Sequence, residues 1–111
     1  MILVIGGAFQ GKLTWAKAQF DMRDGDCCDL AKGFEGGKRC YYHLEAATRR
    51  GEMPPFPEGA VVIAREVGCG VVPMDGGERA WRERHGAALQ ALAKRADRVY
   101  RVFCGLGERL Q

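Results

Sequence analysis

Residues 2–5 are an unbroken apolar run, Ile-Leu-Val-Ile, ended by Gly6 and Gly7. Such a run predicts a strand covered on both faces, here a first and central one. Over residues 12–20 the apolar positions Leu13, Trp15, Ala16, Ala18 and Phe20 recur without period-two alternation, among residues that favour a helix. Residues 21–39 carry Asp21, Asp24, Gly25, Asp26, Asp29, Gly33, Gly36 and Gly37, with only Leu30 and Phe34 as apolar punctuation. They read as a weakly structured connection with room for one helical turn. Residues 40–42 read as a short extended lead-in to a helix from about His43 to Arg50, with Gly51 as its C-cap and arginines in its last turn. Pro54, Pro55 and Pro57 forbid its continuation. Gly59 then precedes Ala60-Val-Val-Ile-Ala, a second buried-strand pattern, and residues 65–70 form a glycine-bearing loop. Asp75 and Glu78 make a D-x-x-E cap for a long amphipathic helix from about Gly77 to Ala96, marked by Ala80, Trp81, Leu89, Leu92, Ala93 and Ala96. Val99, Tyr100, Val102 and Phe103 predict a last strand, broken by Gly105.

Strands separated by helices imply right-handed crossovers. The expected fold is therefore α/β, a small three-layer P-loop-type domain with a mainly parallel sheet and helices on its faces. At 111 residues the chain forms a single domain, residues 1–111. In that arrangement the loops at the carboxyl ends of the strands gather on one edge, where ligands bind.

Composition narrows the function classes. Seventeen Lys and Arg against fourteen Asp and Glu give a net charge of only +3, with the signs interspersed. Charge therefore declares no nucleic-acid footprint and is compatible with a small anionic ligand. The longest apolar runs fall far short of the ~20 residues of a membrane span. The N-terminus lacks the basic segment of a secretory signal, so a cytoplasmic location is expected. Cys27, Cys28, Cys40, Cys69 and Cys104 are an odd set with no C-x-x-C pair. This disfavours a disulfide framework or a zinc site and points to reduced, mostly packed thiols.

Candidate chemistry begins at Gly6, Gly7, Ala8, Phe9, Gln10, Gly11 and Lys12, which fit G-x-x-x-x-G-K directly between a strand and a helix. Successive loop amides facing an anion, a helix N-terminus and the Lys12 charge together suit the phosphates of GTP or ATP. The next residue of that pattern carries a hydroxyl for Mg²⁺, but here it is Leu13, and Thr14 comes one place late. A one-residue shift turns a helical side chain by about 100°, so Thr14 does not simply inherit the role. Glu66, just past the second strand, is the candidate acid for the metal; a surface pairing with an arginine is the competing reading. Arg79 and Arg82 share a helix face near the loop after Glu66 and are candidate phosphate ligands, although solvated helix arginines are commoner.

From Glu66 onward the chain reads Glu-Val-Gly-Cys-Gly-Val-Val-Pro, then Arg79, Trp81-Arg82-Glu83, Gly86, Gln90, Leu92-Ala93, Ala96-Asp97, Val99 and Gly105. This resembles the adenosylcobinamide kinase / adenosylcobinamide-phosphate guanylyltransferase family of cobalamin biosynthesis, whose members also open with an apolar strand and G-G-A-x-x-G-K. The matching parts cover residues 1–20 and 59–111. The resemblance implies an enzyme that phosphorylates the aminopropanol hydroxyl of adenosylcobinamide and then transfers GMP from GTP through a histidine. It also implies that residues 6–12 hold nucleotide phosphates, with Lys12 catalytic, and that the protein is a homotrimer. The chain is shorter than full-length members between the first helix and residue 59, where they carry the accepting histidine in an H-x-x-x-R-P context. The histidine here is His43, in Tyr-His-Leu-Glu-Ala-Ala-Thr-Arg-Arg. It departs from that context and reads more readily as the start of a packed helix than as a nucleophile. His85 reads as a solvated or packed side chain of the long helix. Leu89 stands where the family usually has Asn.

The leading expectation is a compact nucleotide-dependent kinase acting on adenosylcobinamide. The competing classes are a non-catalytic nucleotide- or corrinoid-binding protein that kept the fold, and an α/β module whose glycine turn binds nothing.

Overall fold

The computed structural model describes residues 1–67 and 76–111. Asp75 of the expected helix cap and residues 68–73 of the Glu-Val-Gly motif lie outside the described residues. The chain runs through β1 (Ile2–Gly6), α1 (Lys12–Gln19), a 3-10 turn (Asp24–Asp26), β2 (Cys27–Asp29), β3 (Cys40–Tyr42), α2 (Leu44–Arg49), β4 (Val61–Arg65), α3 (Gly76–Arg95), β5 (Arg98–Phe103) and β6 (Leu106–Arg109). These strands form one sheet in the order β2-β3-β4-β1-β5-β6. All neighbours are parallel except β5 and β6. The central place expected for β1 holds: Gly6 sits opposite Arg65 of β4, and Ile5 opposite Arg101 of β5.

The continuous apolar runs bury both faces because a strand alternates its side chains. Leu3 and Ile5 of β1, with Val62 and Ala64 of β4 and Val99 of β5, meet Leu44 and Ala47 of α2, Leu92 of α3 and Ala96 just past its end. Ile2 and Val4, with Val61, Ile63, Tyr100 and Val102, meet Leu13, Trp15 and Ala16 of α1. Helices on both faces make the three layers expected from the sequence.

Three strands of the sheet were not expected. Residues 21–39 contain β2 as well as the helical turn, and residues 40–42 are a sheet strand rather than a lead-in, because Cys27 and Cys28 pair in parallel with Cys40 and Tyr41. That pairing is non-local and leaves little trace in a segment rich in Asp and Gly. Gly105 does not end the sheet either. Cys104 (φ 52°) and Gly105 (φ 74°) are both left-handed and pair Phe103 with Leu106 across a two-residue hairpin. β6 is exposed throughout, so burial gives it no sequence pattern. Its Gly107 is covered by the Trp15 indole so closely that a Cβ there would overlap the ring.

Candidate functional site

The carboxyl ends of β3, β4, β1 and β5 share one edge of the sheet, and the glycine loop lies on it. Phe9 (φ 59°) and Gly11 (φ 80°) both take left-handed backbone, the alternation that makes successive peptide N–H groups a concave anion nest. Phe9 has its side chain fully in solvent. Gly11 is the N-cap of α1 and contributes no side-chain cap, so the helix's leading N–H groups are left for another acceptor. The loop is fixed from the far side by Gln10, whose carbonyl accepts from Gly105 N–H at 2.9 Å and whose Oε1 accepts from Cys104 N–H at 2.7 Å.

Lys12 folds back so that Nζ donates to the Gly7 carbonyl at 2.7 Å. Burial pushes its pKa down from the ordinary lysine value; Glu45 and Glu66 oppose that shift, and Arg65 adds to it. A cleft of about 380 Å³ opens beside it, lined by loop residues 8–11, Leu13 and Thr14 of α1, and Tyr42, His43, Glu45, Ile63 and Arg65. On the other side of the loop a second cavity of about 320 Å³ contains Gly7, Glu66, Arg101 and Phe103, and shares Ala8, Gln10 and Arg65 with the first.

His43 departs from expectation. It precedes α2 instead of packing within it, takes left-handed backbone (φ 63°) and keeps its side chain 50% exposed. Its Nδ1 lies 2.8 Å from Asp29 Oδ1. Because β3 is a sheet strand, the residue following it is delivered to the ligand edge rather than to the core. Asp29 ends β2, on the strand beside β3, and its Oδ1 also accepts from Ala31 N–H at 2.9 Å. Burial alone would raise the Asp29 pKa, but the His43 and Ala31 hydrogen bonds outweigh it and hold the carboxyl below its usual value.

A carboxylate depressed on folding stabilises the protein above its unfolded pKa, and the benefit fades as pH falls through the folded one. The urea midpoint of the wild type is therefore expected to fall more steeply than that of Asp29→Asn between about pH 5 and about pH 3. Parallel slopes would contradict the pairing.

The remaining expected site residues divide. Glu66 lies outside the cleft, in the second cavity, and its carboxylate pairs with Arg101 at 3.3 Å. This is the arginine-paired alternative read from the sequence. Arg79 and Arg82 lie in the first turns of α3 and are not among the residues lining either cavity. Leu13 and Thr14 both reach the cleft. Asp29, Tyr42, Glu45 and Arg65 were missed. Glu45 is an ordinary helical acid in sequence until β3 is placed in the sheet, and only the His-x-Glu spacing at the head of α2 hinted at it.

Among the described residues no group of three His, Cys, Asp or Glu side chains is arranged to hold a metal. Gln10, Thr14, Tyr42 and Glu45 are the cleft-lining residues with side-chain oxygens. With a single carboxylate among them, this lining does not cage a cation by protein alone and suits Mg²⁺ that arrives with the phosphates and keeps its water.

Beyond the geometry, a family profile described as cobinamide kinase / cobinamide phosphate guanyltransferase matches residues 40–110, well over half of the chain. The chain belongs to the cobinamide kinase / cobinamide phosphate guanyltransferase family. Membership gives it a transferase role in cobalamin biosynthesis, acting on cobinamide. The match runs from β3 through β6 and takes in His43, Glu45, Glu66 and Arg101. It includes residues 40–58, which the sequence resemblance had left out, and stops short of the glycine loop. No curated protein matches the chain. No helix among the described residues is long and apolar enough to cross a membrane.

Proposed function

We propose that this family member is a nucleotide-dependent kinase that phosphorylates the side-arm hydroxyl of adenosylcobinamide, with GTP or ATP held in the cleft beside Lys12. The observation that carries the reading is the convergence, at one sheet edge, of a loop with left-handed Phe9 and Gly11, an uncapped helix start and the Lys12 ammonium. In the reaction, the acceptor oxygen bonds to the γ-phosphorus, the bridging P–O bond breaks, and the hydroxyl proton leaves to solvent or to a cleft base. Such a transfer depends mainly on alignment and charge neutralisation. The loop amides orient the phosphates. Lys12 exchanges its Gly7 carbonyl for phosphate oxygen, which replaces a neutral acceptor by an anion. Mg²⁺ arriving on the triphosphate, ligated by phosphate oxygens and water, would supply further neutralisation of phosphate charge.

A second reading, guanylyl transfer through His43, is favoured by the Asp29 contact. With Nδ1 on Asp29, Nε2 is the ring nitrogen left to attack the α-phosphorus of GTP, expelling diphosphate and forming an N–P bond. Phosphorylated cobinamide then takes GMP from that bond.

Purified protein with Mg²⁺, nucleotide and adenosylcobinamide tests both. Phosphorylated corrinoid supports the kinase, and its absence with both GTP and ATP, alongside no calorimetric heat, removes it. Acid-labile label from α-labelled GTP, lost in His43→Ala, supports the second step; label that persists in that variant excludes His43.

A further inference from the structure

His85 of α3 has no solvent exposure and takes no part in the reactions above. Its Nε2 lies 2.7 Å from the Arg65 carbonyl oxygen, and its Nδ1 lies 2.7 Å from Thr48 Oγ1. A carbonyl only accepts, so Nε2 carries the proton. Thr48 Oγ1 also accepts the Trp81 indole N–H at 3.2 Å, and Trp81 stacks on the His85 ring. Burial pushes the His85 pKa down, against smaller opposing effects of the Arg65 carbonyl and Glu45, while Arg65 adds to the fall. The ring is then neutral, Nδ1 accepts, and the Thr48 hydroxyl donates to it rather than to the Glu45 carbonyl 3.2 Å away.

The contact matters because of where it ends. Arg65 is the last residue of β4, opposite Gly6, and the following amide, Glu66 N–H, donates to the Gly6 carbonyl at 2.8 Å. The Arg65 N–H in turn donates to Glu45 Oε1 at 3.0 Å. One residue of the cleft wall is thus held at its carbonyl by a buried imidazole and at its N–H by the carboxylate that acts on Lys12. An apolar core side chain in place of His85 would fill the same volume and leave a half-buried carbonyl without its donor.

We infer that His85 is a positioning residue: through the Arg65 carbonyl it fixes the last residue of β4, and through that residue's own N–H it fixes the Glu45 carboxylate beside Lys12. Its consequence for catalysis rests on the cleft being the nucleotide site; the positioning itself belongs to the free protein.

The test is the titration of Lys12 in the free, full-length chain, followed by NMR of ¹³C-labelled lysine and assigned with Lys12→Met. The charges facing Lys12 are Glu45, Arg65 and Glu66, so loosening Glu45 removes support for the ammonium. His85→Leu is expected to lower the Lys12 midpoint by about half a pH unit. His85→Gln, whose amide can donate to the Arg65 carbonyl, is expected to restore it, and Glu45→Gln to reproduce the fall. An unmoved midpoint in His85→Leu, or equal shifts in the Leu and Gln variants, overturns the inference, since a packing role would not separate them. Should His85→Leu fail to fold, the wild-type tautomer decides: nitrogen NMR is expected to show a neutral Nε2–H ring, and an Nδ1–H ring overturns the inference. Neither readout involves nucleotide. A wild type that gives no heat with GTP or ATP but shows these shifts upholds His85 while removing the kinase reading, and heat without the shifts does the reverse.

Discussion

Lys12→Met is expected to reduce phosphorylation of adenosylcobinamide by about a thousandfold, or about 4 kcal/mol of transition-state stabilisation, while leaving the thermal midpoint of the free protein unchanged or slightly raised. The two halves of this expectation have one cause. In the free protein the ammonium is half-buried and donates to the neutral Gly7 carbonyl, and its depressed pKa records that the fold disfavours its charge. Methionine keeps most of the apolar stem and removes that charge, so the fold loses little. With a triphosphate present the balance reverses, because the ammonium gains anionic oxygens in a site with little water to screen them. Arginine is not expected to rescue activity: its planar fork cannot take the place of a compact ammonium folded against Gly7. Corrinoid product formation and differential scanning calorimetry on the same preparations check the expectation. Matching losses of activity and stability would indicate a structural lysine instead.

What the sequence made legible follows from the range of the interactions involved. β1, α1, α2, β4, α3 and β5 appear within a residue or two of their expected bounds because each carries its own apolar pattern or stop signal, such as Gly51 after α2 or the apolar run of β4. The glycine loop was readable for the same reason. β2 and β6 were not. Three residues in an Asp- and Gly-rich segment become a strand only because Cys40 and Tyr41 lie alongside, and β6 is set by the turn at Cys104 and Gly105 rather than by burial. The error propagated into the site. Without β2 and β3 in the sheet, Asp29 has no reason to meet His43 across 14 residues, Glu45 has no reason to face Lys12, and a half-exposed histidine reads as a packed one. Glu66 shows the opposite case: its place at the end of β4 was legible, but its partner Arg101 comes from β5, beyond the reach of local pattern.

Gly6→Ala is expected to cost about 3 kcal/mol of stability and to weaken nucleotide binding with it, whereas Gly7→Ala, one residue on, is expected to be close to neutral. In sequence the two glycines look like one turn signal. In the fold they meet different surroundings. A Cβ on Gly6 would stand 2.5 Å from the Val102 carbonyl oxygen and 3.2 Å from Lys12 Cδ; on Gly7 its nearest neighbour would be Gln10 Cγ at 3.7 Å. The Val102 carbonyl is backbone of β5, so the clash cannot be relieved by a rotamer. Relief requires β1 and β5 to separate, yet Gly6 is also tied to β4 through its register with Arg65 and the Glu66 N–H. The methyl group also presses on the lysine stem, which displaces the ammonium from the loop and couples the stability loss to the affinity loss. Urea unfolding and GTP calorimetry on both variants measure the difference. Equal effects at the two positions would mean that the β1–β5 contact is looser than the structure has it, and that Gly6 serves only the turn.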